Sequence, residues 1–378
     1  MAKHGFKIMD SDMHIIEPPD LWQRYIAPEF RDRAPVGQSR FPRDLGVSLD
    51  GKQLTDYLYI EGPASTPFGR AGASHEREAQ SPKYEDGESH GWSPDSQVRA
   101  MDQEGIDVAV LFPSRGLFVL AVDDLEPRLA AAIARAYNDW LYDFCRDHPG
   151  RLFGAGHLAP HDVGLAVKEA RRCVEELGFK SVFMRPNIVN GRNWFDPYFD
   201  PLWQECQRLN VPVGFHEGGR TPYLNQVGTQ FPTSMLQHTA CHSMGMMLAA
   251  IGFCGSGLLE RFPTLRVAFL EGNCSWAPWL MWRLDEHYEW RGYEHPDLKL
   301  PPSEYFKRQC FVSVEGDEAP AKYMEDAGYG HTVVFSTDYP HPDSKYPHAV
   351  DGFLKQDFSP GAKRRFLWDN CARLYGFD

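Results

Sequence analysis

Asp12 and His14 stand two residues apart where the apolar run opening "FKIMDSDMHIIEPPDLW" turns polar. On a strand that spacing sends both side chains to one face. A carboxylate is costly to bury without a partner, so the pair is either a hydrogen-bonded strand end or one corner of a metal site. Other corners follow at the ends of later apolar runs. Arg185 closes "FKSVFMRP", His216 and Glu217 close "VPVGFHE", and Glu271 closes "RVAFLEG". Glu315 ends "CFVSVEG", and Asp338 ends "TVVFSTD" with His341 just beyond it. Two imidazoles with two or more carboxylates suit a borderline divalent ion such as Zn²⁺, Fe²⁺ or Mn²⁺. Asp12, His14, His216 and Asp338 are the candidate ligands of one such ion, and a Glu271 bridge would admit a second.

Further residues carry possible chemistry around that core. Glu271 can ligate, bridge or orient a ligand from behind the ion. His238 and His242 in "QHTACHSMGMM" lie four apart, on one face if the segment is helical, and either can serve as general acid or carbonyl polariser. Arg185 and Arg220 are candidates to grip a substrate carboxylate bidentately, with His341 as a third substrate contact. Arg185 has a structural alternative, a rim salt bridge with Glu217. Glu17 reads either as a site residue or as the cap of a helix over "PDLWQRYI". Trp276, Trp279 and Trp282 are spaced for one helix and read as packing first, pocket wall second.

The elements that must position these groups alternate. Eight apolar, β-prone runs are visible: "FKIMDSDMH", "DVAVLF", "RLFGAGHLAP", "FKSVFMRP", "VPVGFHE", "RVAFLEG", "CFVSVEG" and "TVVFSTDYP". Between them lie helical patterns such as "PRLAAAIARAYNDWLYDFCRDHP", "VGLAVKEARRCVEELG" and "DPLWQECQRLN". Continuous apolar strands alternating with helices predict a parallel sheet covered on both faces, and eight units predict a closed (β/α)8 TIM barrel. An open doubly wound sheet is the alternative, but no glycine-rich dinucleotide fingerprint follows the first strand. The carboxyl ends of barrel strands share one rim, which is where the polar residues fall. One stretch breaks the repeat. Residues 28–94, after strand one, are rich in Gly, Pro, Ser and charge, as a lid over the barrel mouth or a partly disordered insertion would be. The whole of 1–378 reads as one barrel domain around that insertion.

Composition narrows the partners. The 378 residues carry a formal net charge of −13, which argues against nucleic acid or an anionic membrane. No apolar run is long enough to span a bilayer, and the eight cysteines form no CxxC pair, as expected of a reduced cytoplasmic protein. The aromatic content leaves room for a pocket wall and for the interface of a homodimer or higher homo-oligomer.

"DSDMHIIEP", "GFHEGG", "LEGNCSWAPWLMWRLDEH", "STDYPHPDS" and the terminal "NCARLYGF" resemble the amidohydrolase-related TIM-barrel family, in the branch that includes aminocarboxymuconate-semialdehyde decarboxylase. The resemblance spans nearly all of the chain apart from 28–94. It implies a metal held by an acidic-or-histidine-x-His pair on strand one, a His on strand five and an Asp on strand eight, here Asp12, His14, His216 and Asp338. Two departures stand out. Strand one carries Asp-x-His instead of His-x-His or Glu-x-His, and Glu271 occupies the place where many of the decarboxylases have an acid/base histidine.

That glutamate sets the functional expectation. An ionised carboxylate is a poor acid, so the leading reading is a metal-dependent hydrolase, with zinc foremost and manganese or iron as alternatives. Asp338 would accept the proton of an activated water, and His238 or His242 would polarise the carbonyl of a small aromatic or cyclic amide, ester or thioester. The alternative is a non-oxidative decarboxylase of an aromatic or unsaturated acid. A metal-stabilised binding protein without catalysis is a third reading, disfavoured because a purely structural ion prefers a closed ligand set.

Overall fold

The computed structural model describes residues 3–39, 44–54, 82–217, 231 and 234–377. Eight strands form one sheet in chain order. They are β1 (Met9–Ile15), β2 (Val108–Pro113), β3 (Leu152–His157), β4 (Ser181–Met184), β5 (Val213–His216), β6 (Val267–Leu270), β7 (Cys310–Val314) and β8 (Val333–Phe335). Every neighbouring pair along that order is parallel. Apart from half-buried Phe153, all strand residues are buried, as continuous apolar runs require when both faces are covered. The ring closes between β8 and β1. The Ser11 hydroxyl donates to the Phe335 carbonyl at 2.7 Å, Ser336 Oγ to the Asp12 carbonyl at 3.0 Å, and the His14 amide to the Tyr339 carbonyl at 2.7 Å. The predicted (β/α)8 barrel is the observed fold.

The helices cover the outside: α1 (Pro94–Glu104), α2 (Pro127–Cys145), α3 (Val163–Glu175), α4 (Asp200–Arg208), α5 (Ser234–Gly255), α6 (Ala277–Arg291) and α7 (Pro302–Gln309). α2 shows why the sequence signal was clear. Pro127 sits in its first turn, where no amide donor is needed, and Leu129, Ile133, Tyr137 and Leu141 recur every four residues on its buried face. α5 is different. It is apolar nearly all round and leaves Met244, Leu248 and Ile251 exposed along one stripe.

The described parts of 28–94 pack at the carboxyl-terminal rim. A small antiparallel sheet joins Val36–Gly37, Val47–Leu49 and Lys52–Gln53. It is tied down by Arg115, just past β2, whose Nη1 donates to the Gln38 carbonyl at 2.7 Å and the Gly46 carbonyl at 3.1 Å. At the other flank, Tyr84 Oη donates to the His341 carbonyl at 2.7 Å. The lid or disorder expected of this insertion rests largely on residues 40–43 and 55–81, which lie outside the described residues.

Candidate metal centre

Four strand ends deliver side chains to one point on the rim. β1 supplies Asp12 and His14, β5 His216, the residue directly after β6 is Glu271, and Asp338 lies three residues past the end of β8. A bulge in β1, where the pairing with β2 slips between Asp10 and Met13, re-aims the strand just at Asp12. Glu271 and Asp338 have φ of +49° and +56°, a left-handed conformation that turns each carboxylate out of the strand line. Such strain in a non-glycine residue persists only where the surroundings enforce it, and it gathers at functional sites.

The donor atoms approach closely. His216 Nε2 lies 3.1 Å from Asp12 Oδ1 and 3.0 Å from Glu271 Oε2. His14 Nε2 lies 3.8 Å from Asp12 Oδ1, 3.7 Å from Glu271 Oε2 and 3.5 Å from Asp338 Oδ1. Ligands about 2.1 Å from a common ion stand about 3.0 Å apart at right angles and about 3.4 Å apart at the tetrahedral angle. The imidazoles are also locked in the ligand orientation. His14 Nδ1 meets the Pro113 carbonyl at 2.8 Å and His216 Nδ1 the Glu217 carbonyl at 2.5 Å, so each Nε2 lone pair faces the cluster. None of Asp12 Oδ1 and Oδ2, His14 Nε2, His216 Nε2, Glu271 Oε2 and Asp338 Oδ1 makes a hydrogen bond, although all are buried. Orphaned buried polar atoms that converge are what a metal ion satisfies. The residues fit the ion that the sequence led us to expect.

Charge in the cluster is shared unequally. Burial pushes His14 well below the usual imidazole range, helped by the like charges of His341 and His216, so it stays neutral as a ligand must. Burial lifts Asp12 and, more strongly, Asp338 above the carboxylate range, against the pull of His216 on the first and His341 on the second. Burial opposes a charge on Glu271 too, but His216 and His242 outweigh it and hold the carboxyl well below its usual range.

Other expected residues are distributed as follows. His341 is buried with both ring nitrogens engaged: Nδ1 lies 2.8 Å from Asp338 Oδ1 and Nε2 3.0 Å from Ser114 Oγ. His242 Nε2 stands 3.1 Å from Glu271 Oε1. His238 is half-exposed, one helical turn away, with its ring centroid 4.1 Å from that of His242. Helix α5 can bring this pair in because Gly245 has no Cβ; one there would fall on the Glu217 carboxylate. Arg185 is buried in an ion pair with Glu217, the structural alternative to gripping substrate. Arg220 lies outside the described residues. Glu17 caps no helix of its own segment. Its carboxylate accepts from the amides of Ser114, Arg115 and Gly116 at 3.2, 2.9 and 2.8 Å. Trp276 is packed inside, whereas Trp279 and Trp282 are more than half exposed. Sequence reasoning missed His157, at the end of β3. It stacks on Phe183, its Nδ1 is buried without a partner, and it lines a small cavity with Leu120, Met184, Arg185 and Trp194. The same survey of strand ends would have found it.

The amidohydrolase family model matches residues 9–377, and the chain belongs to that family. It is 27% identical over 297 residues to 2-amino-3-carboxymuconate-6-semialdehyde decarboxylase of Dictyostelium discoideum, covering 77% of this chain and 79% of that protein. It is 29% identical over 313 residues to gamma-resorcylate decarboxylase of Rhodococcus jostii (strain RHA1), covering 75% of this chain and 88% of the relative. Among solved structures it resembles dihydroxybenzoic acid decarboxylase from Polaromonas sp. JS666, which holds manganese and the inhibitor 2-nitroresorcinol. The TM-score is 0.65 at 20% identity, over 98% of this chain and 97% of that one.

These relatives correct the hydrolase expectation: the similar enzymes are decarboxylases, and they favour what stood as the alternative. Glu271 does not leave the rim without a nearby histidine, because His341, on the loop after β8, places its Nδ1 2.8 Å from Asp338 Oδ1. The chain is an enzyme of the amidohydrolase superfamily, which sets aside the non-catalytic reading. Nothing in the comparisons points to zinc in particular. Among the described residues, no helix is long and apolar enough to cross a membrane.

Proposed function

We propose that this protein is a metal-dependent non-oxidative decarboxylase of an aromatic or unsaturated carboxylic acid. One observation carries the reading: buried, unpartnered carboxylate and imidazole donors converge on the barrel rim. The decarboxylases among its relatives supply the reaction type. Asp12, His14, His216 and Asp338 would hold a divalent ion, manganese before zinc given the Polaromonas neighbour, with Glu271 beside them. Such an ion would supply the positive charge that an anionic substrate needs at the rim.

The chain's own groups handle the proton. His341 Nδ1, 2.8 Å from Asp338 Oδ1, would pass that carboxylate a proton, and Ser114 Oγ lies 3.0 Å from the far side of the imidazole. Asp338 delivers the proton to the carbon that bears the carboxylate. The bond from that carbon to the carboxylate carbon then breaks, its electron pair returns to the substrate skeleton, and carbon dioxide leaves. His341 returns a proton to Asp338 from solvent. Burial of the cluster keeps bulk water away from the protonated carbon.

The assembled protein is proposed to be a cytoplasmic homo-oligomer of single-domain chains. All eight cysteines are free and buried, which supports a reducing compartment.

The test loads the protein with manganese and incubates it with gamma-resorcylate, salicylate and 2-amino-3-carboxymuconate 6-semialdehyde in deuterated water. Carbon dioxide released in step with deuterium at the vacated carbon is the expected result. Hydrolysis of aryl esters or amides, with no carbon dioxide from any of the three acids, would overturn the proposal.

A further inference from the structure

Glu271 has two carboxylate oxygens, and they face different groups. Oε2 points to His216 and His14 at 3.0 and 3.7 Å, among the donors of the first site. Oε1 points the other way, to His242 Nε2 at 3.1 Å. His242 repeats the pattern of the two first-site histidines. Its Nδ1 meets the backbone carbonyl of His238 at 3.3 Å, and its buried Nε2 makes no hydrogen bond. His238 stands four residues earlier on α5, the spacing that places two imidazoles on one helix face. His238, His242 and Glu271 each offer a donor atom, all within 4.8 Å of one another. Asp343, on the loop after β8, brings a further carboxylate oxygen 3.8 Å from His238 Nε2.

We propose that His238, His242 and Glu271 form a second divalent-cation site, with Glu271 bridging it to the first. The inference rests on the reading of Asp12, His14, His216 and Asp338 as the first site. Two imidazoles and a carboxylate select the same borderline ions as the first site, manganese, iron or zinc, over calcium or magnesium. A bidentate carboxylate holding one ion on each oxygen matches the separation of about 3.5–4 Å common in two-metal centres. The geometry gives the departure at the end of β6 a purpose. A histidine there would offer one lone pair to one ion, whereas a glutamate offers an oxygen to each. His238 is the half-exposed member, so the second ion sits on the solvent side and is the more readily exchanged.

The rival account is a plain ion pair between protonated His242 and Glu271, with no second ion. Metal-free protein titrated with manganese chloride separates the two, read by equilibrium dialysis and electron paramagnetic resonance. The expected result is about two ions per chain and the spectrum of a spin-coupled pair, with half the hyperfine spacing of an isolated ion. H238A/H242A should bind a single ion with an uncoupled spectrum, while circular dichroism confirms an intact fold. H238Q, at a half-exposed position, guards against a folding failure and should weaken the second ion at least about tenfold. A single ion in the wild-type protein, or a coupled pair that survives H238A/H242A, would overturn the inference. Carbon dioxide release with one ion per chain would remove the second site and leave the proposed reaction standing. Two ions without carbon dioxide from any tested acid would do the reverse.

Discussion

His216 and His157 both end barrel strands and are both buried, yet they call for opposite experiments. His216 has its Nδ1 fixed on a backbone carbonyl and its Nε2 aimed at Asp12 and Glu271. His216→Ala should leave the barrel folded and lower manganese affinity at least about a hundredfold, since a lost ligand costs no less than a lost supporting contact. Unchanged metal content would remove His216 from the centre. His157 stays neutral instead. Burial, then the positive charge of Arg185, pushes it down to about 3. An imidazole held low in the folded state contributes stability that is present above its unfolded value of about 6.5 and lost as pH falls toward the folded one. The folded state should therefore lose about 2 kcal/mol between pH 7 and pH 5 through this residue. His157→Phe keeps the stacking on Phe183 and removes the titration. Its urea-unfolding free energy should fall less over that interval, and equal losses in both proteins would refute the assignment.

Glu17 makes an argument about elements. It belongs to the segment after β1, but its carboxylate gathers three amides just past β2, and so joins two βα loops at the rim. Burial lifts its carboxyl, while the Gly116 and Arg115 amides pull the other way. Glu17→Ala would leave those donors buried and unsatisfied, a loss of about 3 kcal/mol. Urea unfolding should show the deficit, with Glu17→Gln losing less because one amide oxygen can still accept. If both variants match the wild type, the loops are held by other contacts. Helix α5 shows the other way an element serves the rim. Its tight approach at Gly245 brings His238 and His242 to Glu271, and its opposite stripe is left bare.

At the level of the whole molecule, that bare stripe adjoins further apolar surface. Gly252 of α5 lies against Phe195, which is itself exposed. Large contiguous apolar surface is unusual on a protein that works alone. The proposed homo-oligomer should meet through this face. Leu248→Glu combined with Met244→Glu should shift sedimentation from the assembled species to the single chain. An unchanged sedimentation coefficient would place the contact elsewhere.

The barrel and the gathering of Asp12, His14, His216 and Asp338 on one rim were legible in the sequence because both rest on local periodicity. A buried parallel strand reads as an apolar run, and in a barrel each run must end on the same rim, so its terminal polar residue announces itself. Glu271 was visible on the same grounds, but its consequence was misread. What the tertiary structure alone decided were contacts between residues far apart in sequence, fixed by packing angle and not by period. His341 turns its two nitrogens to Asp338 and Ser114, Arg185 is spent on Glu217, and Glu17 serves a neighbouring loop. Helix α5 sets its histidines on the far oxygen of Glu271 at a distance that depends on one missing Cβ. A strand end is dictated by its own residues. The direction in which a loop or helix side chain points is dictated by what it packs against.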